Sequence, residues 1–143
     1  MKIKICSHVP VVKQWSMEGI VVNPTAIFLK TFYDIHGLNP DVEWLTPNIL
    51  VLDDVDTIVH NLLKENVDIL GLGVYVWNEK FQFQIAKKIK QINPDVLVVM
   101  GGPQLSVHRT DNNEDNIEDF FINFPYVDYA VYGDGERSFQ QII

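Results

Sequence analysis

The sequence predicts a doubly wound α/β domain, a five-stranded parallel sheet with helices on both faces. Three observations carry that reading. Short apolar runs alternate with amphipathic helical patterns along the whole chain. The runs Asp68 to Val76 and Val96 to Met100 are apolar almost throughout, as strands buried on both faces must be. The breaks between elements are Asn-Pro, Gly and Gly-Gly-Pro, which stop helices and turn strands.

Each element follows from local chemistry. Lys2 to Ser7 alternates as a first strand. Asn23-Pro24 predicts a helix start, with proline at the first helical position, and the helix runs to His36 with Gly37 just past its end. Val42 to Leu45 is a short second strand. Val55, Ile58, Val59, Leu62 and Leu63 form the apolar stripe of a second helix, and Asp53, Asp54 and Asp56 crowd its positive end. Asp68 to Val76 is the third strand. Asn78 is placed to cap a third helix whose buried side carries Phe81, Ile85, Ala86, Ile89 and Ile92, and Asn93-Pro94 ends it. Val96 to Met100 is the fourth strand. The polar stretch Ser106 to Asp115 is expected to be a loop. Ile117, Phe120, Phe121 and Phe124 mark a short fourth helix before Pro125, and Val127 to Tyr132 is the fifth strand. After the turn Gly133-Asp134-Gly135 a last helix starts near Glu136. This is a flavodoxin-like (Rossmann-like) arrangement, with right-handed crossovers.

The bulk properties narrow the function. The chain has 143 residues, enough for one core, and no apolar run near the ~18 residues of a membrane span. No signal peptide opens it, so a cytoplasmic location is the default. A net charge of −8 argues against nucleic acid, and the one basic cluster, Lys87, Lys88 and Lys90, suits a solvated helix end. Cys6 is the only cysteine, so the chain alone builds neither a disulfide nor a cysteine-ligated cluster. The last helix, with Ser138, Phe139, Ile142 and Ile143, stops after barely two turns without a cap. Residues 1–143 are therefore expected to be a single domain cut from a longer protein.

Doubly wound sheets bind ligands beyond the carboxyl ends of their strands. That rule selects four loops: Ser7 to Val22, Trp77 to Asn78, Gly101 to Ser106, and Gly133 to Glu136. The first, with His8, Trp15 and Met17, is long, and a loop of that length is either functional or disordered. Gly101-Gly102-Pro103 permits a close backbone approach, to a ligand or within a tight turn. Gly133-Asp134-Gly135-Glu136 resembles a phosphate cradle, but its carboxylates favour a ligand rich in amides or hydroxyls. It also reads as an ordinary acidic helix start. Trp77 is either a pocket wall or core. Asp34-Ile35-His36-Gly37 is a partial match to the cobalt-ligating Asp-x-His-x-x-Gly motif, but the glycine comes early and the place is wrong. A helix C-terminus explains it better. There is no Walker loop, no dinucleotide-binding fingerprint after the first strand and no nucleophile–base pair at informative spacing.

Taken together, Asp68-Ile-Leu-Gly-Leu-Gly-Val-Tyr-Val-Trp-Asn78, Asn93-Pro94, Gly101-Gly-Pro-Gln-Leu-Ser106, and Val127-Asp-Tyr-Ala-Val-Tyr-Gly-Asp-Gly-Glu136 with Phe139 resemble the N-terminal cobalamin-binding domain of cobalamin-dependent radical S-adenosylmethionine enzymes. The resemblance is strong from about residue 66 onward. Asp134 stands where the usual Gly-Glu-Gly-Glu motif has glutamate. The resemblance implies cobalamin at the carboxyl edge of the sheet. Gly101, Gly102, Pro103, Gln104 and Ser106 would line the nucleotide tail or corrin, with Tyr75, Val76, Trp77 and Asn78 beside them. Tyr132, Gly133, Asp134, Gly135 and Glu136 would make polar contacts, and Ser7 and His8 would form a wall. It implies base-off cobalamin without a histidine ligand. It also implies a radical SAM barrel, C-terminal to this chain, holding the iron–sulfur cluster and S-adenosylmethionine, in a parent enzyme that transfers methyl groups. No catalytic residue and no protein metal ligand is expected in this chain. Gly102→Val is expected to abolish cofactor binding and leave the fold largely intact. The rival readings are a same-fold scaffold without cobalamin and a stand-alone flavodoxin-like nucleotide-binding enzyme.

Overall fold

A computed structural model describes residues 1–9, 24–46, 48–50, 54–105 and 115–143. Its strands are β1 (Lys2–Val9), β2 (Glu43–Trp44), β3 (Asn48–Leu50), β4 (Ile69–Gly73), β5 (Leu97–Gly101) and β6 (Tyr129–Val131). Its helices are α1 (Pro24–His36), α2 (Val55–Lys64), α3 (Glu79–Ile92), α4 (Asp115–Asn123) and α5 (Gly135–Ile142). All strand pairs are parallel, in the order β2-β1-β4-β5-β6, with β3 also on β1.

The predicted second strand is thus two pieces in one sheet position. β2 pairs Lys2 with Glu43 and Ile3 with Trp44, and β3 pairs Cys6 with Asn48 and Val9 with Leu50. Counted by position the sheet has the five strands expected. The chain leaves β1 for one edge and returns to the other at β4, so the topological switch point lies between these two strands.

Strand alternation divides the core. Ile3, Ile5, Ile69, Val99 and Val131 turn to one face and pack with Ala26 of α1 and Phe139 of α5. Cys6, Leu70, Leu72, Val98 and Met100 turn to the other, under α2, α3 and α4. There Ile85 and Ile89 of α3 are fully buried, each worth about 1.5–3 kcal/mol against exposure. Phe83 gathers Phe120, Phe124 and Tyr126 around it, with ring centroids 4.3–6.4 Å away.

Several local expectations shift. Asp54 is the N-cap of α2, its Oδ1 accepting from Thr57 N at 2.9 Å, and this holds its carboxyl below the ordinary value. Asn78 stands at the start of α3 but makes no capping bond. Lys88 pairs with Asp56, and Lys90 with Asp128 at 2.7 Å, so two of the three clustered lysines are held in ion pairs. β1 runs two residues further than predicted. The Asn23 cap, the loop with Trp15 and Met17, and the stretch 106–114 lie outside the described residues.

Candidate functional site

A cavity of about 410 Å³ opens between the first face of the sheet and helices α1 and α5, at the carboxyl ends of the strands. That volume lies within the range of small-molecule sites. Its floor is unusual. Gly71 and Gly73 are two residues apart on β4, so both face the cavity, and Gly101 of β5 lies beside Gly73 in register. A side chain at Gly101 would enter the space, whereas a Cβ at Gly71 would first meet Ile5 Cδ1, at 2.5 Å. Ile5, Val99 and Val131 complete an apolar base, and Phe28, Leu29 and Phe139 close the helix side.

Polar groups gather on one rim, at the start of α5. Asp134 has its side chain free of any capping bond, and Glu136 follows in the first turn. Gly133 takes φ +70, with nothing near a hypothetical Cβ, and gives the turn its left-handed residue. The opposite rim is aromatic. Tyr75 and Trp77 stack with centroids 4.8 Å apart and planes 7° from parallel, and Trp77 is 55% exposed.

Of the residues singled out in the sequence, Tyr75, Gly101, Gly102, Pro103, Gly133, Asp134, Gly135 and Glu136 line the cavity together. Val76 and Trp77 are exposed and are not among the residues that line it. Asn78 is buried behind it: its Oδ1 accepts from Tyr75 N at 2.8 Å and its Nδ2 donates to Gly73 O at 3.0 Å. Gln104 also faces elsewhere, donating to Glu79 at 3.0 Å, and Tyr132 packs against the other core. Ser7 and His8 are in β1, with side chains outside the described set, and Ser106 is outside it altogether.

The two adjacent glycines have separate causes. Gly102 has φ +117, and a Cβ there would come 2.5 Å from Val74 O and 2.9 Å from Val74 N. It is glycine because the chain's own backbone crosses it. The expectation that Gly102→Val spares the fold is therefore corrected: a branched side chain collides with β4's exit before it meets any ligand. Gly101 is different. Its Cβ would make only ordinary contacts with Val131, at 3.7–3.8 Å, on the cavity side. The sequence reading missed Gly71 and Gly73 as floor, though their spacing of two within a strand is the signal. It also missed Thr25, Phe28 and Leu29, which fall at helical spacing on one side of α1.

His36 closes α1 at the opposite end of the sheet, where the terminal amine of Met1 reaches Asp41 O at 2.8 Å. His60 is exposed on α2, across the sheet from the cavity. Neither approaches the site. Among the described residues no cluster of His, Cys, Asp and Glu could hold a metal ion, and no helix is long and apolar enough to cross a membrane.

These features suit a corrinoid with a nucleotide tail. A floor low in side chains leaves room for a flat ring, and the carboxylates of Asp134 and Glu136 are acceptors for N–H donors. Comparison with known proteins agrees. Over 76 residues, 53% of this chain, the sequence is 40% identical to the 2-(S-pantetheinyl)-carbapenam-3-carboxylate methyltransferase of Streptantibioticus cattleyicolor. It matches the cobalamin-dependent radical SAM methyltransferase TokK of Streptomyces tokunonensis to the same degree over the same length. The match spans 10% of the length of each relative. The model of the B12 binding domain matches residues 26–143, most of the chain and every element after α1, and this chain belongs to that family.

Proposed function

We propose that this domain binds cobalamin at the carboxyl edge of its sheet, with the nucleotide tail in the glycine-floored cavity and the corrin over its mouth. The observation that carries the reading is the floor itself: Gly71, Gly73 and Gly101 share one face at the carboxyl ends of adjacent strands. Bound cobalamin supplies a cobalt centre able to carry a methyl group. This chain's residues bind and orient it. The apolar base from Ile5, Val99 and Val131 excludes water from the tail, Asp134 and Glu136 accept from amide N–H groups, and the Tyr75–Trp77 stack offers a flat apolar rim.

Among the described side chains His36 and His60 lie away from the cavity, in keeping with the base-off cobalamin without a histidine ligand that we propose. An electron paramagnetic resonance spectrum of the cob(II)alamin form is expected to lack nitrogen superhyperfine coupling. The names of the relatives, two methyltransferases of which one is a cobalamin-dependent radical SAM enzyme, support a methyltransferase of that class as parent; a barrel beyond this domain would hold the iron–sulfur cluster and S-adenosylmethionine. The substrate belongs to that barrel.

Gly101→Leu tests the site. The substitution fills the floor without a backbone clash, so it is expected to weaken hydroxocobalamin binding at least about tenfold, with the melting temperature within a few degrees of wild type. Unchanged affinity would move the ligand out of this cavity.

A further inference from the structure

The third helix sends two carboxamides to the switch point, and one of them is explained by neither strand pairing nor helix capping. Gln82 is 0% exposed. Its Nε2 donates to Gly73 O at 3.0 Å and to Cys6 O at 3.3 Å. One side-chain amide therefore joins the carboxyl-terminal stretches of β1 and β4.

The place matters. Pairing of β1 with β4 ends at Cys6 and Leu72, whereas β4 stays paired with β5 one residue longer, through Gly73 and Gly101. Val74 N then donates to Gly101 O at 2.7 Å, drawing the exit of β4 toward β5. Past Cys6, β1 shifts register against β3 on its other side. The two central strands part here, and the parting leaves a gap in the ladder at the edge of the glycine floor. A buried carboxamide that donates both its protons across such a gap does what the missing rungs would have done. Asn78 supports the same carbonyl from one turn earlier, with Nδ2 to Gly73 O at 3.0 Å.

We propose that Gln82 is a positioning residue for the cofactor site: it braces the diverging ends of β1 and β4 from the opposite face of the sheet and so fixes the Gly73 section of the cavity floor. The ligand half of this inference rests on the cobalamin reading above. The brace itself is a property of the free domain and is testable without ligand. Gln82 never touches the cavity, so its effect on binding passes through the backbone of Gly73. A floor held to within a few tenths of an ångström admits a flat base, and a floor free to rise closes the slot.

Gln82→Met keeps the side-chain volume and removes both donors, and the 143-residue chain carrying it is compared with wild type and with Gly101→Leu. In the free protein, amide hydrogen exchange at Gly73 to Tyr75 is expected to speed up at least tenfold, while Ile85 to Ile89 stays as protected as in wild type. Hydroxocobalamin binding is expected to weaken about tenfold, with far-UV circular dichroism unchanged. Unaltered exchange at Gly73 to Tyr75 would overturn the brace, whatever the ligand does. Faster exchange with wild-type affinity for hydroxocobalamin would overturn the positioning role. If wild type itself fails to bind hydroxocobalamin, the cobalamin reading fails and the positioning role with it, and the exchange result alone then decides whether the brace exists. Should Gln82→Met not fold, Gln82→Leu, which is smaller and also lacks both donors, is put through the same two measurements with the same outcomes.

Discussion

Adjacent glycines at the end of β5 show how one residue type can answer two different demands. Gly102 is imposed by the fold, through its positive φ and the Val74 carbonyl against it. Gly101 is not: a Cβ there would make only ordinary contacts, at 3.7–3.8 Å, so the fold itself leaves room for a side chain beside the cavity. The strain of the dihedral alone at Gly102 amounts to about 1–3 kcal/mol for a residue with a side chain, and the backbone collision adds to that. Gly102→Val is therefore expected to lower the melting temperature by several degrees or to prevent folding, whereas Gly101→Leu is expected to melt near wild type and lose ligand. Differential scanning fluorimetry of the pair checks both. The sequence made Gly-Gly-Pro conspicuous but could not separate its members, because the atom that decides Gly102 lies 28 residues earlier in the chain. Asn78 teaches the same lesson. Its position suggested a helix cap, and only the turn geometry reveals that its amide is spent on Tyr75 N and Gly73 O.

At the scale of elements, periodicity was a sound guide for the middle of each helix and weaker at its ends: Ile92, expected on the buried side of α3, is 63% exposed. Helix α2 runs Val55–Lys64 on the stripe of apolar residues that predicts it, and Asp54 caps it as the acidic cluster suggests. The Thr57 N–H is the main cause of the lowered Asp54 carboxyl pKa, so the fold favours the ionised form. The stabilisation is present above the ordinary value of 3.8 and is lost as pH falls through the lower folded value. Asp54→Ala should accordingly reduce the melting temperature at pH 7, with the difference from wild type shrinking in acid below that value. Aromatic packing between α3 and α4 offers a larger effect. Phe83 is buried among Phe120, Phe124 and Tyr126, and Phe83→Ala should cost about 3–5 kcal/mol in urea unfolding. The edge strand was less legible. Its two short pieces, β2 and β3, depend on pairing with β1 at Lys2–Ile3 and at Cys6 and Val9, a long-range register that no local pattern encodes.

Over the whole molecule, the alternation of strands and helices made the parallel, doubly wound fold readable, and the fold in turn indicated the carboxyl edge as the place for a ligand. What remained hidden was which face of the sheet holds the cavity. That choice follows from the parity of Gly71, Gly73 and Gly101, all on the side of α1 and α5, opposite the face that Gln82 braces. A face with the core residues Ile69 and Val99 below and glycine above gives a slot that is dry at its base and open at its mouth. The acidic rim at Asp134 and Glu136 disfavours a free phosphate-rich nucleotide there and suits a neutral, amide-rich macrocycle. The most direct measurement is the visible spectrum of the purified 143-residue chain after incubation with hydroxocobalamin and desalting. Corrin absorbance is expected to stay with the protein at close to one equivalent. Desalted protein with no corrin absorbance would contradict it, and would leave a domain of this fold that serves as a scaffold without its cofactor.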